Sequence, residues 1–193
     1  MPPALVFATH NAHKLAEVQA MLGAGFLLKS LNDIGFEEDI DETGSTFQAN
    51  AHLKSKAIFD RFGLNCFADD SGLVVDALHG EPGIYSARYS GSRDPKTNLE
   101  LVLQKMEGHQ ERSAHFVSII SLIWEGDNYF FEGRVEGSII EKSRGLAGFG
   151  YDPIFIPKGY DLTFAEMEAT EKNRISHRSL AMQQMLEFLK QQS

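Results

Sequence analysis

Phe67-Ala68-Asp69-Asp70-Ser71-Gly72 delivers two adjacent carboxylates from an apolar run, and the Ser-Gly that follows predicts a chain break. Neighbouring aspartates repel, so a fold that keeps them together usually supplies a cation. Oxygen-only ligands suit Mg²⁺ or Mn²⁺ better than zinc, and a hard cation held by carboxylates points to phosphate chemistry. A solvated acidic turn has the same composition, so the choice depends on the other polar groups of the chain.

Three further clusters could serve a phosphate ligand. Thr9, Asn11 and Lys14 fall at a strand end and across the first turn of a helix, where backbone N–H groups and an ammonium can hold phosphate oxygens. Asn50 and Lys54 are four residues apart and share a helix face, with Glu42 shortly before that helix. Gly145-Leu146-Ala147-Gly148-Phe149-Gly150-Tyr151-Asp152 has the glycines of a ligand loop and an aromatic able to stack on a ring. Lys172 and the pair His177-Arg178 add donors suited to phosphate or to the edge of a base. The chain contains no Gly-x4-Gly-Lys-Ser/Thr loop, no His-Glu-x-x-His and no Gly-x-Ser-x-Gly elbow. His10 and His13 could share a helical face, but no third ligand accompanies them.

The elements that must position these groups are read from periodicity and punctuation. Leu5 to Ala8 predicts a strand, and Ala12 to Leu22 a helix with Leu15, Val18 and Leu22 on one face. Phe26 to Leu31 predicts a short strand. Ser45-Thr46-Phe47-Gln48 predicts a capping box opening a helix that Gly63 ends. Cys66 to Ala68 and Leu73 to Leu78 predict two strands on either side of the Asp pair. Asp94-Pro95 starts a helix running to about Met106. Ser113 to Trp124 and Tyr129 to Ile140 predict a central hairpin turning at Gly126-Asp127-Asn128 and covered on both faces. Pro153 to Ile156 predicts a strand, Thr163 and Glu166 a helix cap, and Ser179 to Lys190 a last helix. Helices and strands alternate without a linker, which predicts one α/β domain over 1–193 with a mixed central sheet flanked by helices.

Composition narrows the class. The 193 residues are 42% hydrophobic and 23% charged, which is ordinary for a globular domain. A net charge of −9 argues against nucleic acid as a general partner, though a nucleotide needs only local cations and a metal. The first residues lack the pattern of a secretion signal, and no apolar run reaches membrane-span length. Cys66 is the single cysteine, in an apolar run, and reads as a buried thiol in a reducing compartment. The expectation is a cytoplasmic protein with no membrane contact.

Together, the blocks Ala8 to Lys14, Asp41-Glu42-Thr43-Gly44, Asn50 to Lys54, Ala68 to Leu73, Pro82 to Tyr89, Gly148 to Phe155 and Ile175 to Arg178 resemble the inosine/xanthosine triphosphate pyrophosphatase family. The blocks keep that family's order along nearly the whole chain. The resemblance implies hydrolysis of ITP, dITP and XTP to the monophosphate and pyrophosphate, Mg²⁺ dependence, a homodimer, and two lobes with an active-site cleft between them. It also implies that Asp70 is the proton acceptor and, with Glu42, a metal ligand. Thr9, Asn11, Lys14, Lys54 and Ser71 match phosphate-side positions, and His10, Ala12 and His13 fall among the substrate-binding positions of the same block. Phe149, Gly150, Tyr151, Asp152, Lys172, His177 and Arg178 match those that hold the base and the remaining contacts. One departure stands out, because His10 occupies a position where the family usually has glycine.

Chemistry requires a carboxylate to orient water at the α-phosphorus and cations to stabilise the leaving pyrophosphate. Either Asp69 or Asp70 could orient that water. Donors such as His177 and Arg178 would favour the 6-oxo group of ITP over the 6-amino group of ATP. Two other readings remain open at this stage: a phosphatase with an aspartyl nucleophile, and a nucleotide sensor that binds without turnover.

Overall fold

The computed structural model describes residues 4–22 and 25–192, apart from the side chains of His13 and Glu17. Among the described residues, six strands form one mixed sheet in the order β2-β1-β3-β4-β5-β6. They are β1 (Ala4–Phe7), β2 (Leu27–Lys29), β3 (Cys66–Val75), β4 (Ser113–Trp124), β5 (Asp127–Ile139) and β6 (Phe155–Pro157). Strand β1 pairs parallel with β2 and β3, while β5 and β6 are antiparallel. Among the described residues, five α-helices accompany them: α1 (Ala12–Leu22), α2 (Phe47–Phe62), α3 (Pro95–Lys105), α4 (Ala169–Ile175) and α5 (His177–Gln191). The α/β class and mixed sheet therefore stand. No helix among the described residues is long and apolar enough to cross a membrane.

The chain divides into two compact units. The first takes the described residues up to Asp70, Ile119–Glu132, and those from Ala181 onward. Its strands follow the period of two, so one face carries Leu5, Phe7 and Phe67 and the other Val6, Ala8, Cys66 and Ala68. The first face packs against Val18 and Leu22 of α1 and Met182, Met185 and Leu189 of α5. The second packs against Ile58 of α2, with Leu31 and Phe36. Phe7 and Phe67 stack at 4.5 Å between ring centres, which ties β1 to β3. Helix α2 begins at Thr46, whose hydroxyl accepts the Ala49 N–H, and ends at Gly63 with φ 63°. The cap is thus Thr46 rather than Ser45.

The second unit takes Ser71–Ser118 and Gly133–Leu180. Leu73, Val75, Leu99, Val102, Met106, Phe116, Phe155 and Phe164 form its core. Asp94 caps α3 through the Thr97 N–H, with Pro95 in the first turn, as the sequence requires.

Several expectations change. The chain does not break at Ser71-Gly72: β3 runs unbroken from Cys66 to Val75, and Asp76–Leu78 forms a 3-10 turn instead of extending a strand. Strand β2 is only Leu27–Lys29. The β4–β5 turn is the two-residue Glu125-Gly126, both with positive φ, the form whose twist suits a hairpin. Strand β4 is buried almost throughout, whereas β5 alternates and leaves one face open. The last short strand starts at Phe155, because Asp152–Ile154 forms a 3-10 turn. Thr163 and Glu166 do bond, Thr163 N–H to Glu166 Oε2 at 2.8 Å, but they close a single turn, and α4 starts only at Ala169. The last helix starts earlier than expected, at His177.

Candidate active site

Because β3 is continuous, Asp69 and Asp70 point to opposite faces. Asp69 has the parity of Phe67, on the face covered by α1. There Lys14 Nζ lies 2.9 Å from Asp69 Oδ1, and the carboxylate is almost wholly buried. Asp70 has the parity of Cys66 and Ala68, on the face covered by α2, where Asn50 Nδ2 donates to its Oδ2 at 3.2 Å. Lys54 Nζ lies 4.0 Å from Asp70 Oδ1, 2.6 Å from Glu42 Oε1 and 2.7 Å from the Asp69 carbonyl. Asp69 pairs with Lys14 and Asp70 faces Lys54, while the Lys14 charge also acts on Asp70.

Desolvation raises the Asp70 carboxyl to about 6, and the nearby Glu42 charge adds to this. Lys54, Lys14 and the Asn50 hydrogen bond work in the opposite direction without cancelling it. A buried carboxyl shifted towards neutrality is suited to accept a proton near physiological pH. Asn50 also accepts the Gly44 N–H at 2.8 Å, so one amide links the loop carrying Glu42 to Asp70. A Cβ at Gly44 would sit 2.7 Å from Asn50 Oδ1, and the approach needs glycine.

At the end of β1 the Thr9 hydroxyl accepts the Asn11 N–H at 3.1 Å, and Asn11 Oδ1 accepts the Lys14 N–H at 3.2 Å. Asn11 therefore caps α1, and the cap sets the helical turn from which Lys14 projects. Ala12 opens the helix and is exposed. His10 Nε2 pairs with the Glu38 carbonyl at 3.1 Å. Only His79 and Glu125 among the described non-glycine residues take a positive φ, so His10 occupies an ordinary backbone region without need of glycine. The His13 side chain lies outside the described residues.

The second unit holds the other predicted group. Asp152 Oδ2 accepts from Lys172 Nζ at 2.6 Å and from the Phe149 N–H at 2.8 Å. The Phe149 ring has Lys172 Nζ at 5.0 Å and the Arg178 guanidinium at 5.5 Å from its centre, both within cation–π range. His177, the first residue of α5, stacks on Phe116 at 4.8 Å and 9°. Gly150 takes φ 61° beside them. Tyr151 belongs to the core, its hydroxyl donating to the Ser86 carbonyl at 2.7 Å. Ser71 Oγ donates to Ser118 Oγ at 2.9 Å.

The sequence pattern of the Ham1 family matches residues 5–188. The chain belongs to the Ham1 family. It is 45% identical over 186 residues to the dITP/XTP pyrophosphatase of Christiangramia forsetii, covering 96% of this chain and 98% of that one. It is 47% identical to the dITP/XTP pyrophosphatase of Flavobacterium johnsoniae, covering 96% and 97%. The solved Ham1 protein of Staphylococcus aureus superimposes with a TM-score of 0.91 at 38% identity, over 98% of this chain and all of that one.

A divalent ion suits the donors that this Ham1 chain presents. Glu42 and Asp70 both approach the Lys54 ammonium, so a cation can be shared by the two carboxylates. The described residues hold no cluster of three or more acidic, histidine or cysteine ligands. Two carboxylates completed by water and phosphate oxygens are the usual Mg²⁺ arrangement. Asn50, which the sequence already groups with Lys54, supports Asp70 directly, and Phe116 and Ser118 also support these groups though the sequence does not mark them as site residues. Ser118 had a signal, as a hydroxyl inside an otherwise apolar strand; Phe116 had none, since its role depends on a partner far along the chain.

Proposed function

We propose that this chain hydrolyses the non-canonical purine nucleoside triphosphates ITP, dITP and XTP to the monophosphate and pyrophosphate. The observation that carries the reading is Asp70, a buried carboxyl raised to about 6 between Lys54, Glu42 and Asn50. Relatives named for dITP and XTP pyrophosphatase activity, matched nearly end to end, set the substrate class.

Asp70 orients a water towards the α-phosphorus and takes its proton, because Asp69 is already committed to Lys14. Water attacks phosphorus, the bond to the bridging oxygen breaks, and pyrophosphate leaves with the electron pair. Lys14 and Lys54 supply positive charge to the phosphates, and the capped start of α1 at Thr9 and Asn11 supplies amide donors. Glu42 and Asp70 would hold Mg²⁺, which when bound would offset the charge on the phosphoryl oxygens. In the second unit Phe149 offers a face to the base, and Lys172, His177 and Arg178 offer donors to its 6-oxo edge. ATP presents an amino donor there, so hydrogen-bonding groups lose their acceptor. A site built on such bonds can discriminate by roughly 10⁴. A homodimer in the cytoplasm completes the reading.

The test is a product assay with Mg²⁺, offering ITP, XTP, GTP and ATP separately and measuring pyrophosphate and orthophosphate. Pyrophosphate from ITP and XTP, with little from ATP or GTP, supports the proposal. Orthophosphate as the direct product, or binding without any product, rejects it.

A further inference from the structure

We infer that Phe116 is a positioning residue for base recognition, setting the plane of the His177 imidazole. The inference rests on the reading of His177 as a donor to the base. The donors of an imidazole lie in its ring plane, so whatever fixes that plane fixes the direction in which they point. Hydrogen bonds weaken steeply off axis, and a donor free to rock loses both strength and selectivity.

The start of α5 and the Phe116 ring both hold His177. Ser176 Oγ accepts the Ser179 N–H at 3.2 Å and its carbonyl accepts the Leu180 N–H at 3.0 Å, which fixes the backbone at the start of α5. The helix start alone leaves the side-chain torsions open. Phe116 closes them: its ring lies 4.8 Å from the imidazole and only 9° from parallel. Phe116 is itself held, with Phe155 edge-on at 4.7 Å and Phe164 at 5.9 Å, all three buried. Phe164 in turn lies 5.6 Å from the Lys172 ammonium. One buried aromatic trio therefore supports an imidazole on one member and a lysine on another. A leucine at 116 would keep an apolar side chain but lose the flat face, which isolates orientation from burial.

The experiment compares wild type, Phe116→Leu, His177→Gln and the double variant, measuring kcat and KM for ITP and ATP. Phe116→Leu should lower the ITP-over-ATP ratio of kcat/KM on the order of tenfold, the scale of one weakened hydrogen bond. The loss should fall in KM for ITP, with saturated turnover and Mg²⁺ dependence little changed. In the His177→Gln background the same change should add no further loss of selectivity, because the group it aims is gone. In NMR spectra without nucleotide the His177 ring protons should move downfield when the Phe116 ring is removed. Phe116→Met serves as a second apolar, non-aromatic replacement should the leucine variant prove poorly folded.

An unchanged ratio, or an equal fall for ITP and ATP, would leave Phe116 a packing residue only. A further tenfold loss in the double variant would show that it acts through some other group. Selectivity untouched by His177→Gln would overturn the inference at its base. Wild-type protein that releases no pyrophosphate from ITP would instead reject the proposed activity itself, which keeps the two failures apart.

Discussion

Asp70→Asn should make the metal-free protein more stable while abolishing turnover. Burial holds the Asp70 carboxyl near 6 in the fold, against 3.8 for an ordinary aspartate. Between those values the folded chain binds more protons than the unfolded one, so stability falls as pH rises through that window and stays reduced above it. A shift of about two units corresponds to roughly 3 kcal/mol at most. Asparagine removes the charge and can still accept from Asn50. Lys54 loses a neighbour at 4.0 Å but keeps Glu42 and the Asp69 carbonyl. The net gain at pH 8 should be about 1–3 kcal/mol, or roughly 2–10 °C in melting temperature for a chain of this size. Urea unfolding of both proteins in chelator, at intervals from pH 4 to pH 8, measures it. The gain should shrink towards zero at pH 4. A variant less stable than wild type at pH 8, or a difference that does not vary with pH, would refute the burial argument.

Three further outcomes follow from the geometry. At low Mg²⁺, log kcat/KM should climb through a midpoint near 6 as Asp70 ionises, and added Mg²⁺ should move the midpoint down; a midpoint near 4 at every metal level would contradict the assignment. Gly148→Ala should destabilise by about 1–3 kcal/mol in urea titrations and raise KM for ITP, since residue 148 has φ 75° and a Cβ would press on Asp152 Oδ2; wild-type values for both would disprove the close fit. Cys66 is fully buried, and desolvation pushes its thiol up to about 12, so an aromatic disulfide reagent at pH 8 should label it only after unfolding; rapid labelling of the native protein would contradict its burial.

Local signals carried far in this chain, and long-range ones did not. Asp94-Pro95 and Gly63 set helix ends because a cap involves only residues within one turn. Thr163 and Glu166 show the limit of the same logic, since their hydrogen bond forms without a helix following at once. Asp-Asp-Ser-Gly has low strand propensity, so the sequence predicts a break where β3 in fact continues. Partners distant in sequence override that propensity: Lys14 and Asn50 take the carboxylates, Ser118 takes the Ser71 hydroxyl, and Ser86 Oγ takes the Leu73 N–H at 2.9 Å. The clusters around Lys14, Lys54 and Lys172 were visible as residue types. Which carboxylate each lysine meets was not, because it depends on strand parity.

That parity limits how β3 can change over evolutionary time. Substitutions along it trade one side chain for another in place, but deleting one residue between Cys66 and Asp69 would reverse every later side chain on the strand. Asp70 would then meet Lys14, and Ser71 would take the place beside Asn50 and Lys54. The number of residues leading to the aspartates is therefore held more tightly than their identity, and insertions belong in exposed stretches away from the site, such as 107–111.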